Sequence, residues 1–396
     1  MLTIFLIVFI DLIGFGMVLP LLPVFAKHFQ VDEHGLTIGL LMASFSAMQF
    51  LFAPLWGRVS DRVGRRPILM IGLAGSVVFY FLFGIATIYR SIVLLFISRI
   101  GAGIAGATIS TAHAYIADVT SLENRTKGMA LIGAAFGLGF TLGPLFAVLA
   151  LLGEGNDPGP GPGYAASGLS ALALLLAWFK LPESLPAGGS HTARKWLDYS
   201  ALHEALATPS VGLLLLTSFV CVFSFANFES TLSLALDSNL NFTFENISET
   251  FAFIGFTLML VQGGIVRRIS GRIHEGTLAA TGAVLEVFGF LLLVWVTHHY
   301  SLAGLLAALA VTVSGFAFIT PSLNSLISRR SDPAKQCAIL GLGQSISSLA
   351  RILGPMAGIP LFKIQPALPL LLAAVLMALG LACVLLAAHR GKDFGK

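Results

Sequence analysis

Charged residues are scarce in this 396-residue sequence, at 11% of the chain, whereas hydrophobic residues make up 56%. A soluble domain usually carries about 25% charged residues, so a water-soluble globule is excluded because its surface could not be covered with polar groups. The mean hydropathy of +0.90 and the small net charge of +4 exclude intrinsic disorder as well. An integral membrane protein remains, and the length accommodates about a dozen helical spans of ~20 residues.

Cysteines are also few, and their spacing excludes two kinds of site. Cys221, Cys337 and Cys383 fit neither a metal-binding nor a disulfide pattern. No metal and no cofactor are expected. The sequence begins without a basic segment or a small-residue cleavage site before Asp11. We therefore interpret this beginning as a retained first span and not as a cleaved signal peptide.

Long apolar runs are separated by charged residues or by Gly and Pro, and they predict twelve spans. The spans must be helical, because lipid cannot satisfy free backbone groups. They cover residues 3–26, 36–56, 68–88, 91–117, 128–152, 164–180, 210–236, 247–267, 277–297, 301–327, 336–361 and 367–388. The predicted fold class is an all-α membrane protein with twelve transmembrane helices.

The placement of Lys and Arg predicts the orientation of these spans. Eighteen of the 23 lie in the even-numbered connections or at the C-terminus, and only Lys27, Arg90 and Lys363 lie in odd-numbered connections. The positive-inside rule then places both termini in the cytoplasm. The basic balance of the sequence is thus a topology signal, and it does not indicate a nucleic-acid partner.

An internal repeat divides the chain into two halves. Residues 116–144 align without a gap with residues 327–355 at an offset of 211, and residues 58–66 align with 268–276 at an offset of 210. Two matches at nearly the same offset predict two parallel six-helix pseudo-repeats. Such repeats are typical of secondary transporters.

The longest predicted cytoplasmic connection separates the halves. We predict an N-terminal six-helix bundle over 1–180, a cytoplasmic linker over 181–209 and a C-terminal six-helix bundle over 210–396. Because one chain with two halves completes its own pathway, a monomer is expected.

The connection after the second predicted span carries five charges in a short turn. By composition alone it is either a topology anchor with a glycine turn or a charge latch that differs between conformations. It resembles the G-x-x-x-D-R-x-G-R-R/K signature of the major facilitator superfamily, which implies the conformational latch. The residues concerned are Gly57, Arg58, Asp61, Arg62, Gly64, Arg65 and Arg66. The aligned segment 268–276 keeps Arg268 and Arg272 but lacks the Asp and the Gly-Arg-Arg.

Two further motifs resemble the same superfamily. Arg99 begins a span-4 R-x-x-x-G motif. Gly139, Gly143 and Pro144 resemble the span-5 G-x-x-x-G-P motif of the drug/proton antiporter branch, although Ala147-Val148 stands where a Gly-Gly pair usually follows. A Gly-Pro pair interrupts the helical hydrogen bonds and lets helices approach closely, which favours a helix bend. Ordinary glycine packing between membrane helices is the alternative.

Ionisable residues inside the membrane are costly and are by default functional candidates. Asp11, Arg99 and Glu286 lie near the middle of their predicted spans, the level at which transporter sites usually lie. A carboxyl group removed from water can exchange protons near neutral pH, and a nearby Arg modulates that exchange. We therefore pair Asp11 with Arg99, and Glu229 or Glu286 with Arg351, as candidates for proton coupling. Static salt bridges are the alternative.

Other polar residues inside the predicted spans are candidates to line a substrate cavity, together with Arg99 and Arg351. They are Gln49, His113, Asn227, Gln262 and Gln344.

Within the superfamily, the sequence resembles the tetracycline/proton antiporter branch. Asp11 in DLIGFGMVLPLLP matches the span-1 acidic residue of that branch, Arg99 matches its span-4 Arg, and Glu286 in AVLEVFGF falls where the branch carries a span-9 acid. The resemblance implies proton antiport through these residues.

A more specific likeness is to the tetracycline-transporter-like group called TETRAN. It is carried by residues 128–144, 228–244 and 253–269. That group is described as moving organic anions and drugs. The resemblance implies a role for Glu229 and for Arg351, which could meet an anionic substrate.

The sequence thus predicts a secondary active transporter of the major facilitator fold. It would move a small amphipathic compound, a drug or an organic anion, across the bilayer by alternating access in antiport with protons, with the proton gradient as energy source. Proton symport or uniport of a metabolite remains open. A receptor or a membrane enzyme is disfavoured, because neither a soluble domain nor a catalytic Ser/His pair, metal cluster or aspartyl dyad is visible. A bacterial inner membrane is the expected location.

Overall fold

The computed structural model describes residues 2–28, 35–120, 125–151, 159–185, 209–269, 272–330 and 336–390. Most of the linker predicted over 181–209 and the end of the chain after residue 390 lie outside the described residues.

The described chain is a succession of helices, as the apolar runs predict. The first half contains α1 (Leu2–Val18), α2 (Leu22–His28), α3 (Leu36–Val63), α4 (Arg65–Ile88), α5 (Ile92–Gly106), α6 (Ile109–Val119), α7 (Arg125–Leu151) and α8 (Gly161–Lys180). The second half contains α9 (Pro209–Leu240), α10 (Phe244–Met259), a π-helical segment (Leu260–Val266), α11 (Arg267–Ile269), α12 (Glu275–His298), α13 (Leu302–Arg330), α14 (Gln336–Ile364) and α15 (Leu368–Arg390).

Eleven helical stretches among the described residues are long and apolar enough to cross a membrane. They include the combined stretches Leu2–Lys27 and Ile92–Ile116. The predicted fifth span corresponds to a shorter apolar stretch, Gly137–Leu151, within α7. The protein is therefore a multi-pass membrane protein, while the count of twelve spans and the cytoplasmic termini stay predictions.

Three predicted spans are not continuous α-helices, and local chemistry explains two of them. Between α1 and α2 stands Pro20, which has no N–H to donate and whose ring clashes with the preceding turn. Between α5 and α6 the helix is interrupted at Ala107 and Thr108, within a Gly-rich run. In the predicted eighth span, the seven residues Leu260–Val266 are π-helical, a form that is frequent at functional sites.

Contacts between Cα atoms group the chain into two compact units. Unit 1 comprises Met1–Asp32, Leu40–Trp196 and Leu236–Gly255, and unit 2 comprises Glu33–Gly39, Leu197–Ala235 and Phe256–Lys396. In unit 1, α1 packs on α7 and α8, and α4 packs on α5 and α8. In unit 2, α12 packs on α13 and α15.

Small residues allow the helices of unit 1 to approach closely. Gly16 of α1 lies against Gly139 and Gly143 of α7, so that a Cβ atom added at Gly143 would stand 2.6 Å from the Cα of Gly16. Backbone approach of this kind is how helices pack in lipid, where burial of apolar surface supplies little attraction between them. The helix α7 runs on through Pro144 to Leu151.

Unit 1 also contains the end of α9 and the beginning of α10, and these contact α2. Lys27 Nζ lies 2.5 Å from Asp237 Oδ2 and 2.8 Å from Ser238 Oγ. The Phe25 and Phe244 rings stack with their centroids 5.2 Å apart. Segments more than 200 residues apart in sequence are therefore joined by an ion pair and an aromatic contact.

Candidate functional site

The most enclosed charge in unit 1 is Arg99 of α5, which is 1% exposed. Its guanidinium carbon lies 4.6 Å from the centre of the Phe45 ring and 5.9 Å from that of Phe15. None of its three side-chain nitrogen atoms has a hydrogen-bond partner. Aromatic faces attract a cation, but they leave the hydrogen-bond donors of the guanidinium unused.

Asp11 of α1 does not pair with Arg99 in this structure. Its carboxylate accepts a hydrogen bond from Ser170 of α8 at 2.7 Å and a longer one from Ser76 of α4 at 3.5 Å. Tyr80 of α4, which is buried, lies within electrostatic range of both Asp11 and Arg99. Tyr80 thus lies near each of the two predicted partners.

Glu286 of α12 is the most enclosed carboxyl group in unit 2, with 0% exposure. Neither of its carboxyl oxygens has a hydrogen-bond partner. Its side chain runs along α13 at Gly315, where an added Cβ atom would stand 2.6 Å from the Glu286 Cγ. A glycine is needed at position 315 because any larger residue would displace this side chain.

Glu229 of α9 and Arg351 of α14 form the other predicted pair, and both belong to unit 2. Glu229 is half-buried and Arg351 is exposed. The two side chains interact electrostatically without meeting as an ion pair in the described structure.

Two of the predicted cavity residues donate hydrogen bonds within helix packing. The Gln49 amide of α3 donates to the carbonyl of Gly106 at 3.2 Å, where α5 ends. The Asn227 amide of α9 donates to the carbonyl of Pro369 at 2.8 Å, and Asn227 is fully buried. The side-chain amide oxygen of Asn227 is buried and has no hydrogen-bond partner, which is not the case for the amide oxygen of Gln49.

The remaining cavity candidates are more accessible. His113 of α6 is half-buried, Gln262 is half-buried within the π-helical segment, and Gln344 of α14 is exposed. Gly263 and Gly264 follow Gln262, and an added Cβ atom at either would meet nothing within 4 Å. This part of unit 2 therefore has open space beside a polar side chain.

The predicted latch gathers around Arg65, the first residue of α4. Its guanidinium lies 2.5 Å from Asp61 Oδ1, 3.0 Å from Asp118 Oδ2 and 2.6 Å from Ser60 Oγ. Arg65 is buried although it is a charged residue at a helix end. The turn between α3 and α4 is thereby fastened to the end of α6, where Asp118 lies.

The other residues of the predicted latch take different places. Arg66 Nη2 donates to the carbonyl of Trp178 at 2.7 Å. Arg58 Nε donates to the carbonyl of Pro54 within α3 at 3.3 Å, and Arg62 is exposed.

Glu183, just after α8, completes this cluster and was not predicted from the sequence. It accepts hydrogen bonds from the backbone N–H groups of Arg65 at 2.9 Å and Arg66 at 3.1 Å, and so caps the N-terminus of α4. Partial burial alone would raise the pKa of the Glu183 carboxyl. The N–H groups of Leu185, Arg65, Arg66 and Ser184 outweigh burial and hold that pKa below its usual value.

The second half contains an equivalent ion pair with the charges exchanged. The offset of 210 aligns Arg65 with Glu275, the first residue of α12, and the offset of 211 aligns Asp118 with Arg329 in the last turn of α13. Arg329 Nη1 lies 2.7 Å from Glu275 Oε1, as Arg65 lies beside Asp118. Sequence comparison missed this because each residue was replaced by one of opposite charge.

In the part of the chain that the structure describes, no group of three or more His, Cys, Asp and Glu residues could hold a metal ion. The side chains that stand out are instead isolated ionisable groups enclosed by apolar helices. Such an arrangement is suited to binding charged solutes or protons.

Comparison with known proteins identifies the family of the chain. The sequence profile of the Major Facilitator Superfamily matches residues 4–355. Major facilitator superfamily domain-containing protein 10 of Mus musculus is 30% identical over 89% of this chain and 85% of its own length. The class E tetracycline resistance protein of Escherichia coli is 30% identical over 88% of this chain and 84% of its own length.

The fold agrees with a solved structure of the same family. The crystal structure of the human organic anion transporter MFSD10 (TETRAN) matches with a TM-score of 0.72 and 28% identity, over 96% of this chain and 98% of the other. The resemblance stated from the motifs is thereby confirmed. The chain belongs to the Major Facilitator Superfamily, a family of membrane transporters.

Proposed function

We propose that the protein is a proton-coupled antiporter that moves an amphipathic organic compound by alternating access. The observation that carries the proposal is Glu286, a carboxyl group in the middle of α12 with 0% exposure and no partner for either oxygen. A carboxylate without a counter-ion in so apolar a place is costly, and proton binding removes that cost. Asp11, hydrogen-bonded and half-buried in unit 1, is the second proposed proton carrier.

An organic anion or a drug is the proposed substrate. Support comes from relatives named as tetracycline resistance proteins and from a relative named as an organic anion transporter. Within this chain, Arg351 is exposed near Glu229, so a carboxylate of the substrate would find a cation there. Arg99, with its nitrogen atoms unpaired against the Phe15 and Phe45 rings, would suit a substrate that carries both an anion and an aromatic ring.

The cluster around Arg65 is proposed to act as the conformational latch. It joins the turn before α4 to the ends of α6 and α8 through Asp118 and Glu183. Ionic contacts of this kind can form and break without disturbing an apolar core.

The test is proton movement in proteoliposomes that enclose a pH-sensitive dye. A tetracycline and a panel of aromatic carboxylates are added to vesicles with the unmodified protein, Asp11→Asn, Glu286→Gln and a control variant, Glu249→Gln, whose residue is exposed at the beginning of α10. We expect a substrate-triggered proton flux that one or both buried-site variants reduce to the level of protein-free vesicles, while the control retains it. Substrate transport that is equal in all four proteins, without a proton signal, would show a uniporter.

A further inference from the structure

The hydrogen bond between Ser170 and Asp11 marks a residue that neither sequence motif nor repeat singles out. Ser170 Oγ lies 2.7 Å from Asp11 Oδ1, and Ser170 is 0% exposed. Asp11 therefore faces α8, and through the weaker bond from Ser76 it also faces α4.

The position of Ser170 is fixed from two sides. One turn earlier in α8, Ala166 lies against Gly14 of α1, where an added Cβ atom would stand 3.3 Å from the Ala166 Cβ. About two turns before Ser170, Gly163 lies against Gly84 of α4, where an added Cβ atom would stand 2.6 Å from the Gly84 nitrogen atom. Because backbone packing holds α8 against both α1 and α4, the Ser170 hydroxyl is kept beside the Asp11 carboxyl.

The ionisable surroundings of Asp11 are few. Tyr80 of α4 lies within electrostatic range of Asp11, and Arg99 of α5 lies within range of Tyr80. The side-chain nitrogen atoms of Arg99 have no hydrogen-bond partner. The sequence of α7 after residue 127 and that of α8 between residues 165 and 179 contain no ionisable side chain. α6, which also packs on α1, carries three ionisable residues, His113, Tyr115 and Asp118. Ser170 is therefore the closest polar partner of the carboxyl group.

A serine hydroxyl suits a carboxyl group that changes its protonation. It offers one donor and two acceptor lone pairs. When Asp11 is ionised, Ser170 donates to the carboxylate; when Asp11 carries a proton, Ser170 can donate to its carbonyl oxygen or accept from its hydroxyl. The pair stays satisfied in both states without movement of either helix.

We infer that Ser170 is the positioning residue of Asp11, holding the carboxyl group by one hydrogen bond in both its ionised and its protonated form. The inference rests on the proposed function, in which Asp11 carries a proton. It gives α8, a helix without an ionisable residue in its interior, a direct part in proton coupling.

The test is infrared difference spectroscopy of the purified full-length protein during a pH titration. The carbonyl band of protonated Asp11 is identified as the band lost in Asp11→Asn. We expect Ser170→Ala to move this band to higher frequency, because a carbonyl without a hydrogen bond vibrates faster, and Ser170→Thr, which retains the hydroxyl, to leave it in place. Ser167→Ala is the matched control, because the Ser167 hydroxyl on the same helix donates to the carbonyl of Val77 at 2.8 Å and not to Asp11, so its loss should leave the band unmoved.

Proton flux in proteoliposomes is measured on the same variants. We expect Ser170→Ala to slow the substrate-triggered flux by about tenfold, the effect of one lost hydrogen bond to a charged group, with Ser170→Thr and Ser167→Ala close to the unmodified protein. A band that does not move in Ser170→Ala, or that moves equally in Ser167→Ala, overturns the inference and leaves Asp11 as a carrier.

Two other outcomes concern Asp11 itself. If no band is lost in Asp11→Asn over the pH range in which the protein is stable, Asp11 takes up no proton and the inference fails. If the band moves as expected but Asp11→Asn transports protons normally, the hydrogen bond is real, but the proposed role of Asp11 and the positioning role of Ser170 both fall.

Discussion

Gly64, at the turn between α3 and α4, occupies a position that only glycine can fill. Its backbone angles are φ +112° and ψ 154°, a region that essentially only glycine adopts. An added Cβ atom would also stand 2.5 Å from Glu183 Oε2. The glycine of the superfamily signature is therefore required twice, by the backbone and by the carboxylate that caps α4.

Gly64→Ala should lower the free energy of unfolding by about 1–3 kcal/mol, the usual cost of forcing a side chain into such a backbone region. Gly57→Ala is the matched control, because Gly57 lies inside α3 with nothing within 4 Å of an added Cβ. There, alanine should be neutral or stabilising by up to about 1 kcal/mol. Thermal unfolding of both variants in detergent measures this, and equal behaviour of the two would contradict the account of the turn.

Glu183 makes the stability of the cap depend on pH. Its pKa in the folded protein lies below the ordinary value of 4.5, so the carboxylate stabilises the fold above that value and loses this effect as the pH falls through the folded-state pKa. The unmodified protein should therefore unfold at a higher temperature than Glu183→Gln at neutral pH. The difference should shrink as the pH falls below about 4.5; a difference that is constant, or that grows in acid, would show that the cap does not depend on the charge.

Some of these residue-level features could be predicted from the sequence, and others could not. The signature located Arg65 and Asp61 because they are close in the chain. Asp118 and Glu183 are more than 50 and 110 residues from Arg65, and a lone acidic residue after an apolar run carries no signal of its partner. Ser170 was missed for the same reason, since serines are common in membrane helices and only the fold brings this one to Asp11.

At the scale of elements, the two halves place opposite charges at equivalent helix ends. A helix N-terminus favours a negative charge and a C-terminus favours a positive one. Glu275 at the beginning of α12 and Arg329 at the end of α13 obey this rule, whereas Arg65 at the beginning of α4 and Asp118 at the end of α6 oppose it. In the first half, Glu183 supplies a negative charge at the beginning of α4.

Swapping the charges within each ion pair tests whether the surroundings of that pair require its present orientation. Glu275→Arg alone should cost at most about 1 kcal/mol, because the pair is partly exposed, and Arg329→Glu added to it should recover part of that loss. The corresponding pair of changes, Arg65→Glu with Asp118→Arg, should not recover, because Asp61 and Ser60 bind the Arg65 guanidinium and because a glutamate at position 65 would add a negative charge beside Asp61 and near Glu183, whose carboxylate accepts from the backbone N–H of the same residue. Thermal unfolding of each single and double variant provides the comparison, and recovery in the first half would refute the assignment of these contacts.

Hydropathy did not predict the breaks inside the predicted spans. The carbonyls freed between α5 and α6 are taken by α3: Trp56 Nε1 donates to Ile104 at 2.8 Å, and Gln49 donates to Gly106. Hydropathy averages over such a break because every residue in it is small or apolar. A polar residue in a membrane helix can therefore either line a cavity or donate a hydrogen bond to a carbonyl freed by a break in a neighbouring helix. The sequence around Gln49 does not distinguish these two roles.

At the scale of the whole molecule, composition and patterning predicted the class of protein correctly. A sequence with 11% charged residues and long apolar runs leaves few alternatives to a helical membrane protein, and the motifs placed it in its superfamily. Contacts between distant segments were not predictable, as Lys27 with Asp237 illustrates. Each of the two residues lies in a different predicted connection, and only the fold brings them together.

Coupling of substrate movement to protons is the central claim, and an imposed pH gradient tests it most directly. Proteoliposomes are loaded at one pH and diluted into another, and accumulation of the compound that triggers proton flux is followed for both directions of the gradient, with protein-free vesicles as the baseline. Antiport predicts accumulation on the acidic side in both directions, because protons leaving that side drive the compound into it, and loss of accumulation in the Asp11→Asn or Glu286→Gln variant. Accumulation on the alkaline side, or none under either gradient, would contradict antiport.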